Sequence, residues 1–132
     1  MPKLRSMPVL SSKHCREDPV PEDGTRILVM RFWPRGVRRE RFDDWCRHLA
    51  PSPRLLGKHR ETTAVKALSE EERDESWERF VAAYRSEMSG QRTAIDELRR
   101  QHESGETLTL LCACHDPAHC HRTVLADLVL AD

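Results

Sequence analysis

From Cys112 to His121 the chain reads CACHDPAHCH, and six of those ten residues are cysteine or histidine. Thiolate and imidazole side chains serve as nucleophiles, as acids or bases, and as ligands for soft metal ions. Two chemistries follow. In the first, Cys120 is a thiolate nucleophile, activated by His121 or His119. Free backbone N–H groups at a helix start and a neighbouring arginine, here Arg122, lower a thiol's pKa. Arg35 and Arg122 would then hold a phosphate, sulfate or carboxylate, with Gly36 shaping the turn beneath Arg35. In the second, Cys112, Cys114, His115, His119 and Cys120, with His121 beside them, ligate zinc or copper. Cys112 and Cys114 alternate onto one face of a strand. The spacing lacks the two separated knuckles of common zinc modules, and His14-Cys15 is a candidate to complete the set.

The flanking residues say what positions this loop. Leu108, Leu110 and Leu111 form an uncharged run suited to a strand buried on both faces. Val124, Leu125, Leu128 and Val129 fall on one helix face. Asp116-Pro117 marks the turn between them. Thr25–Trp33 predicts a second buried strand, ended by Pro34. In an open parallel sheet, ligands bind beyond the carboxyl ends of strands. If the two strands are parallel neighbours, Arg35, Cys120 and Arg122 share one crevice there.

The remaining chain supplies the cover. Glu40–Leu49 predicts a helix with Phe42, Trp45, Cys46 and Leu49 on its apolar face, making Cys46 a small hydrophobe. Arg54–Leu68 yields no clear element, and within it Gly57-Lys58-His59-Arg60 reads as a basic, mobile loop. Ser69–Met88 predicts the longest helix, with Ser69 and Glu72 as a capping box and Trp77, Phe80, Val81, Tyr84 and Met88 as a core stripe. Thr93 with Asp96 suggests a further capped helix with Ile95 and Leu98 inward. Gly105 suits its end. Residues 1–22 read as an irregular arm in which Met7–Leu10 adds an edge strand. His14 and Cys15 read there as a surface pair. Residues 23–132 form one α/β domain with a small, mainly parallel sheet flanked by helices.

The 132 residues suit one core. Lys and Arg number 22 and Asp and Glu 22, a balance that excludes a generally basic nucleic-acid binder. Local patches remain, with Arg38, Arg39, Arg41, Lys58, His59 and Arg60 as the residues of a nucleic-acid-binding module. No aromatic residue interleaves them as a stacking platform. No apolar run reaches membrane-spanning length and no signal-like segment opens the chain, so the expectation is cytoplasmic. Thiols stay reduced there, which favours packing, metal binding or catalysis over disulfides for the five cysteines.

Several separated segments converge on one family. Arg26-Ile27-Leu28-Val29 with Trp33-Pro34-Arg35-Gly36, Ala50-Pro51-Ser52, Phe80 with Tyr84–Met88, and Leu110 with Cys120-His121-Arg122 and Leu125-Ala126 resemble domain-of-unknown-function family 488 (DUF488). The likeness covers about Asp23 to Val129. It implies a compact α/β domain, marks Trp33, Pro34, Arg35, Gly36, Cys120, His121 and Arg122, and brings no established activity. The chain departs from the family pattern at Arg54–Ser69 and in its density of Cys and His. In architecture alone, a cysteine beside arginine in a strand–loop–helix turn is also similar to phosphatases and sulfurtransferases. Their cysteine leads the loop, which offers Cys114 as the alternative nucleophile, with Asp116 a nearby acid. The expectation is therefore an anion-binding, Cys/His/Arg-lined crevice, thiol-dependent in its chemistry, with metal binding and nucleic-acid binding as alternatives.

Overall fold

The computed structural model describes residues 10–64, 68–113 and 120–131. Four strands, β1 (Leu10–His14), β2 (Thr25–Leu28), β3 (Asp44–Trp45) and β4 (Leu108–Cys112), form one sheet in the order β1-β4-β2-β3. All three pairings are parallel. Helices α1 (Pro53–Ala64), α2 (Glu70–Met88), α3 (Arg92–Glu103) and α4 (His121–Leu130) complete it. The architecture is the α/β class expected, with the two apolar strands as central neighbours. Among the described residues no helix is long and apolar enough to cross a membrane.

Period-two alternation divides the central strands between two apolar clusters. Ile27, Val29, Leu108 and Leu110 pack against Phe80, Tyr84 and Met88 of α2, Ile95 and Leu98 of α3, and Val124, Leu125 and Val129 of α4. Leu28 and Leu111 face the other way, onto Cys15 and the rings of Trp33, Phe42 and Trp45. Helices therefore cover one face and loops the other. The continuous apolar runs are buried on both sides, as their composition requires.

Several local expectations are corrected. Glu40–Leu49 is not a helix but two short 3-10 turns, Arg39–Arg41 and Arg47–Leu49, around β3. Its apolar residues are divided: Phe42 and Trp45 join the loop-side cluster, while Leu49 and Cys46 join the helix side. Pairing with the open edge of β2 outweighs the helical spacing. Gly57-Lys58-His59-Arg60 is not a mobile loop, since α1 runs through it. Its start is held by a residue 35 positions away. The Glu87 carboxylate accepts from the Ser52 amide at 2.8 Å and from its hydroxyl, and Ser52 Oγ accepts from the Leu55 amide. Thr93 does not cap α3, which begins at Arg92 and follows α2 through the turn Ser89–Gln91. The described edge strand is Leu10–His14, and residues 7–9 of the expected Met7–Leu10 strand lie outside those described. The ladder of β2 ends at Leu28, although the Val29 amide still donates to Leu111.

The capping box at Ser69 and Glu72 forms as expected, and backbone and hydroxyl donors from Ser69 hold the Glu72 carboxyl below its usual range. Ile95 and Leu98 are buried. Gly105 takes φ +102°, just past the end of α3.

Gly24 joins the turn Pro21–Asp23 to β2 at φ 63° and ψ −130°. A Cβ there would stand 2.3 Å from the Thr107 carbonyl oxygen. That oxygen already accepts from the Thr25 amide at 2.9 Å. Gly24→Ala therefore combines a forbidden backbone conformation with a backbone clash. It is expected to cost at least about 1–3 kcal/mol, read as a lowered urea midpoint with unchanged slope. An unchanged midpoint would show that the turn relaxes freely.

Candidate functional site: a buried Cys-Cys-His cluster

The start of α4 lies over the carboxyl ends of β2 and β4. Two side chains make that junction. His121 Nε2 is 2.6 Å from the Val29 carbonyl, and Arg122 donates to the Cys112 carbonyl at 3.2 Å. A carbonyl only accepts, so Nε2 must carry the proton. In neutral imidazole that leaves Nδ1 with its lone pair exposed.

That lone pair faces two sulfurs. Nδ1 lies 3.9 Å from Cys112 Sγ and 3.9 Å from Cys120 Sγ. The three donor atoms all lie within 4.8 Å of one another, and all three residues are buried. Cys112 comes from the last position of β4, on the helix-covered face. Cys120 is the N-cap of α4 and His121 its first residue. The extended backbone at Cys120, φ −132° and ψ 141°, lets the two adjacent side chains converge instead of diverging around a helix.

The surroundings are buried, with an aromatic ring on the imidazole. The Tyr84 ring meets His121 edge-on, with centroids 5.6 Å apart. Tyr84 is fully buried and donates its hydroxyl to Leu49 O at 2.6 Å. Burial first, then the neighbouring Cys120, Cys112 and Glu87, pushes its phenol pKa up, so it stays a neutral donor. Phe80, Trp77 and His59 continue the ring packing away from the cluster.

Other expected site residues have different settings. Gly36 takes φ +79° and Arg35 is exposed, on the loop after β2. The Arg35 carbonyl accepts from the Arg16 guanidinium at 3.1 Å. Cys114, His115, Asp116 and His119 lie outside the described residues. Arg38, Arg39 and Arg41 belong to the stretch around the turn after Gly36, and Lys58, His59 and Arg60 to α1. Cys15 is not an incidental surface residue. It is fully buried against Leu28 and Leu111, and its amide donates to Cys112 O at 2.9 Å. Burial pushes its thiol up, against the lowering effect of Arg16. His14 Nε2 is 3.0 Å from Ala113 O.

Cys46 behaves as the packing residue its spacing suggests. Burial, then the adjacent Asp44 carboxylate, pushes its thiol up to about 12. At pH 8 only roughly one Cys46 in ten thousand is then a thiolate. Alkylation mapped by mass spectrometry at that pH should leave Cys46 unmodified in the folded protein. Rapid labelling there would contradict this environment.

What the sequence did not bring out is the partnership of Cys112 with His121, together with the roles of Tyr84 and the Val29 carbonyl. The spacing offers Cys112 as one of several candidate donors, and nothing in it shows which of them meet or which ring nitrogen of His121 faces Cys112.

A family model described as the active DUF488-N3 subclade matches residues 10–132. Uncharacterized proteins of Mycobacterium bovis and of two Mycobacterium tuberculosis strains are each 31% identical over 115 residues, covering 86% of this chain and 86% of theirs. No solved structure gives a significant match.

Proposed function

This chain belongs to the DUF488 family, and from that premise we propose that it is a metal-binding protein whose centre is Cys112, Cys120 and His121, loaded with zinc or copper(I). One observation carries the reading. The Val29 carbonyl holds Nε2 as donor, so Nδ1 is presented to two buried sulfurs. Metal-ligating histidines are oriented in this way, the second nitrogen donating to a carbonyl or carboxylate. Two thiolates with an imidazole suit zinc and copper(I) and disfavour magnesium or calcium. A cytoplasmic setting, which keeps thiols reduced, would suit such a centre.

The direct test is elemental analysis of protein purified without an affinity metal, followed by uptake of zinc and copper(I) under reducing conditions. About one ion per chain is the expected result. Protein that arrives empty and takes up neither metal sinks the reading.

A second reading rests on Cys120 as the N-cap of α4 and on the subclade's description as active. A thiolate there would attack a small phosphate- or sulfur-containing anion held by Arg35, Arg122 and the helix N–H groups. It requires a depressed pKa at Cys120 in the metal-free protein. Alkylation rates followed across pH decide it, and an ordinary thiol pKa at Cys120 eliminates it.

A further inference from the structure

We propose that the exposed ring of Phe32 and the guanidinium groups of Arg16, Arg31 and Arg35 form a docking surface for single-stranded nucleic acid. The surface lies beyond the carboxyl end of β2, the end at which open parallel sheets bind their ligands. It does not depend on what the cysteines hold.

The first observation is how Phe32 is presented. Its side chain is 57% exposed. A single apolar side chain at a surface is ordinary, but the chain on both sides of this one is tied down. The Met30 carbonyl accepts from Trp45 Nε1 at 2.7 Å. Arg31 donates through Nε to Pro51 O at 3.3 Å and through Nη2 to Ala50 O at 3.1 Å. The Trp33 ring meets Phe42 and Trp45 edge-on, with centroids 5.3 Å from each, and its Nε1 donates to Val37 O at 2.8 Å. Pro34 is buried. The fold itself therefore holds the Phe32 ring toward solvent.

The second is the charge around it. From Met30 to Arg39 the chain carries four arginines and no acidic residue. Arg31 is oriented by two main-chain carbonyls, which accept its N–H groups without neutralising it. Arg35 is exposed, in the turn closed by the Val37 amide on Pro34 O. Arg16 arrives from the end of β1, two strands away in the sheet, and its guanidinium donates to Arg35 O at 3.1 Å. Arg41 belongs elsewhere. It pairs with Asp18 at 3.2 Å, and its carbonyl accepts from Arg26 of β2.

A ring flanked by cations suits a polymer that alternates bases with phosphates. Any base can stack on an aromatic face, and each phosphate can take a guanidinium fork. A duplex keeps its bases stacked on one another and offers the ring no free face. The basic residues singled out from sequence had no aromatic residue among them, and Phe32 supplies one.

Fluorescence anisotropy on the full-length, reduced protein tests this surface. The probes are labelled oligo(dT), oligo(U) and a DNA duplex of equal length, at salt from about 50 to 200 mM. The single strands should bind more tightly than the duplex, with a log–log salt slope of about −2, near 0.7 for each arginine on a phosphate. The tighter of the two strands identifies the partner as DNA or RNA. Phe32→Ala should weaken binding about five- to a hundredfold with the slope unchanged, and Phe32→Trp should keep it. Arg35→Ala should flatten the slope by about 0.7. Arg100→Ala, which removes a guanidinium from the last turn of α3, ahead of the amino end of β4, should change neither. Circular dichroism confirms folding of each variant. No retention of either strand at low salt, a duplex bound as tightly as the single strands, undiminished binding by folded Phe32→Ala, or tighter binding of a polyglutamate peptide of matched charge overturns the proposal.

Discussion

Asp23→Asn is expected to lower the unfolding free energy by about 3–5 kcal/mol, the usual effect of removing one partner from a buried ion pair. Asp23 is 5% exposed and lies between two cations. Lys13 donates to it at 3.0 Å, and the Arg26 guanidinium donates to its other oxygen. The Val20 amide donates as well, and Thr109 Oγ1 donates to the Asp23 backbone carbonyl at 2.7 Å. Arg26 is itself buried and also donates to the carbonyls of Arg41 and Glu17. Neutralising Asp23 leaves that guanidinium without its carboxylate. The network joins β1, β2 and β4 to the loop before β3, so its loss loosens the end of the sheet opposite the cysteines.

The same group sets an acid limit. Burial alone would raise the Asp23 carboxyl, but the donors from Lys13, Val20 and Arg26 outweigh it and hold the pKa below the usual carboxylate value. A group depressed on folding adds stability that is fully present above its unfolded pKa, about 3.9 for Asp. That increment is lost as pH falls from there through the lower folded value. Urea denaturation of wild type at pH 7 and near pH 3 should show this loss, and Asp23→Asn should show a smaller one. Equal losses in the two proteins would remove Asp23 from the account.

The second large effect belongs to the proposed metal centre. An ion that binds only the folded chain raises stability by RT ln(1 + [L]/Kd), about 4 kcal/mol at a free concentration a thousandfold above Kd. The reduced protein should therefore melt at a higher temperature with copper(I) present, and a strong chelator should reverse the gain. Cys112→Ser should melt at one temperature with or without metal. Because the thiols must lose protons to bind, the increment should grow as pH rises through the neutral range. A metal-independent melting curve for wild type would contradict the centre.

The sequence by itself determined the parts governed by short-range pattern. The runs Ile27–Val29 and Leu108–Leu111 became the parallel central pair, because uncharged strands must be covered on both faces. The Ser69 capping box, the α2 stripe and the start of α4 after the Cys/His loop were equally legible, each set within a few residues. Tertiary structure decided what depended on distant partners. Phe42 and Trp45 abandoned helical spacing because β2 offered an unpaired edge and Leu28 and Leu111 needed cover. Helix α1 starts at the cap Ser52-Pro53, whose hydroxyl accepts from the Leu55 amide, and Glu87, 35 positions away, holds that cap in place. Cys15 entered the core because β1 pairs with β4. At the site, the loop's wealth of cysteine and histidine was plain from the sequence, but the choice among them was not. Strand parity turned Cys112 toward the helices, and the Val29 carbonyl 92 residues away set which nitrogen of His121 faces the sulfurs.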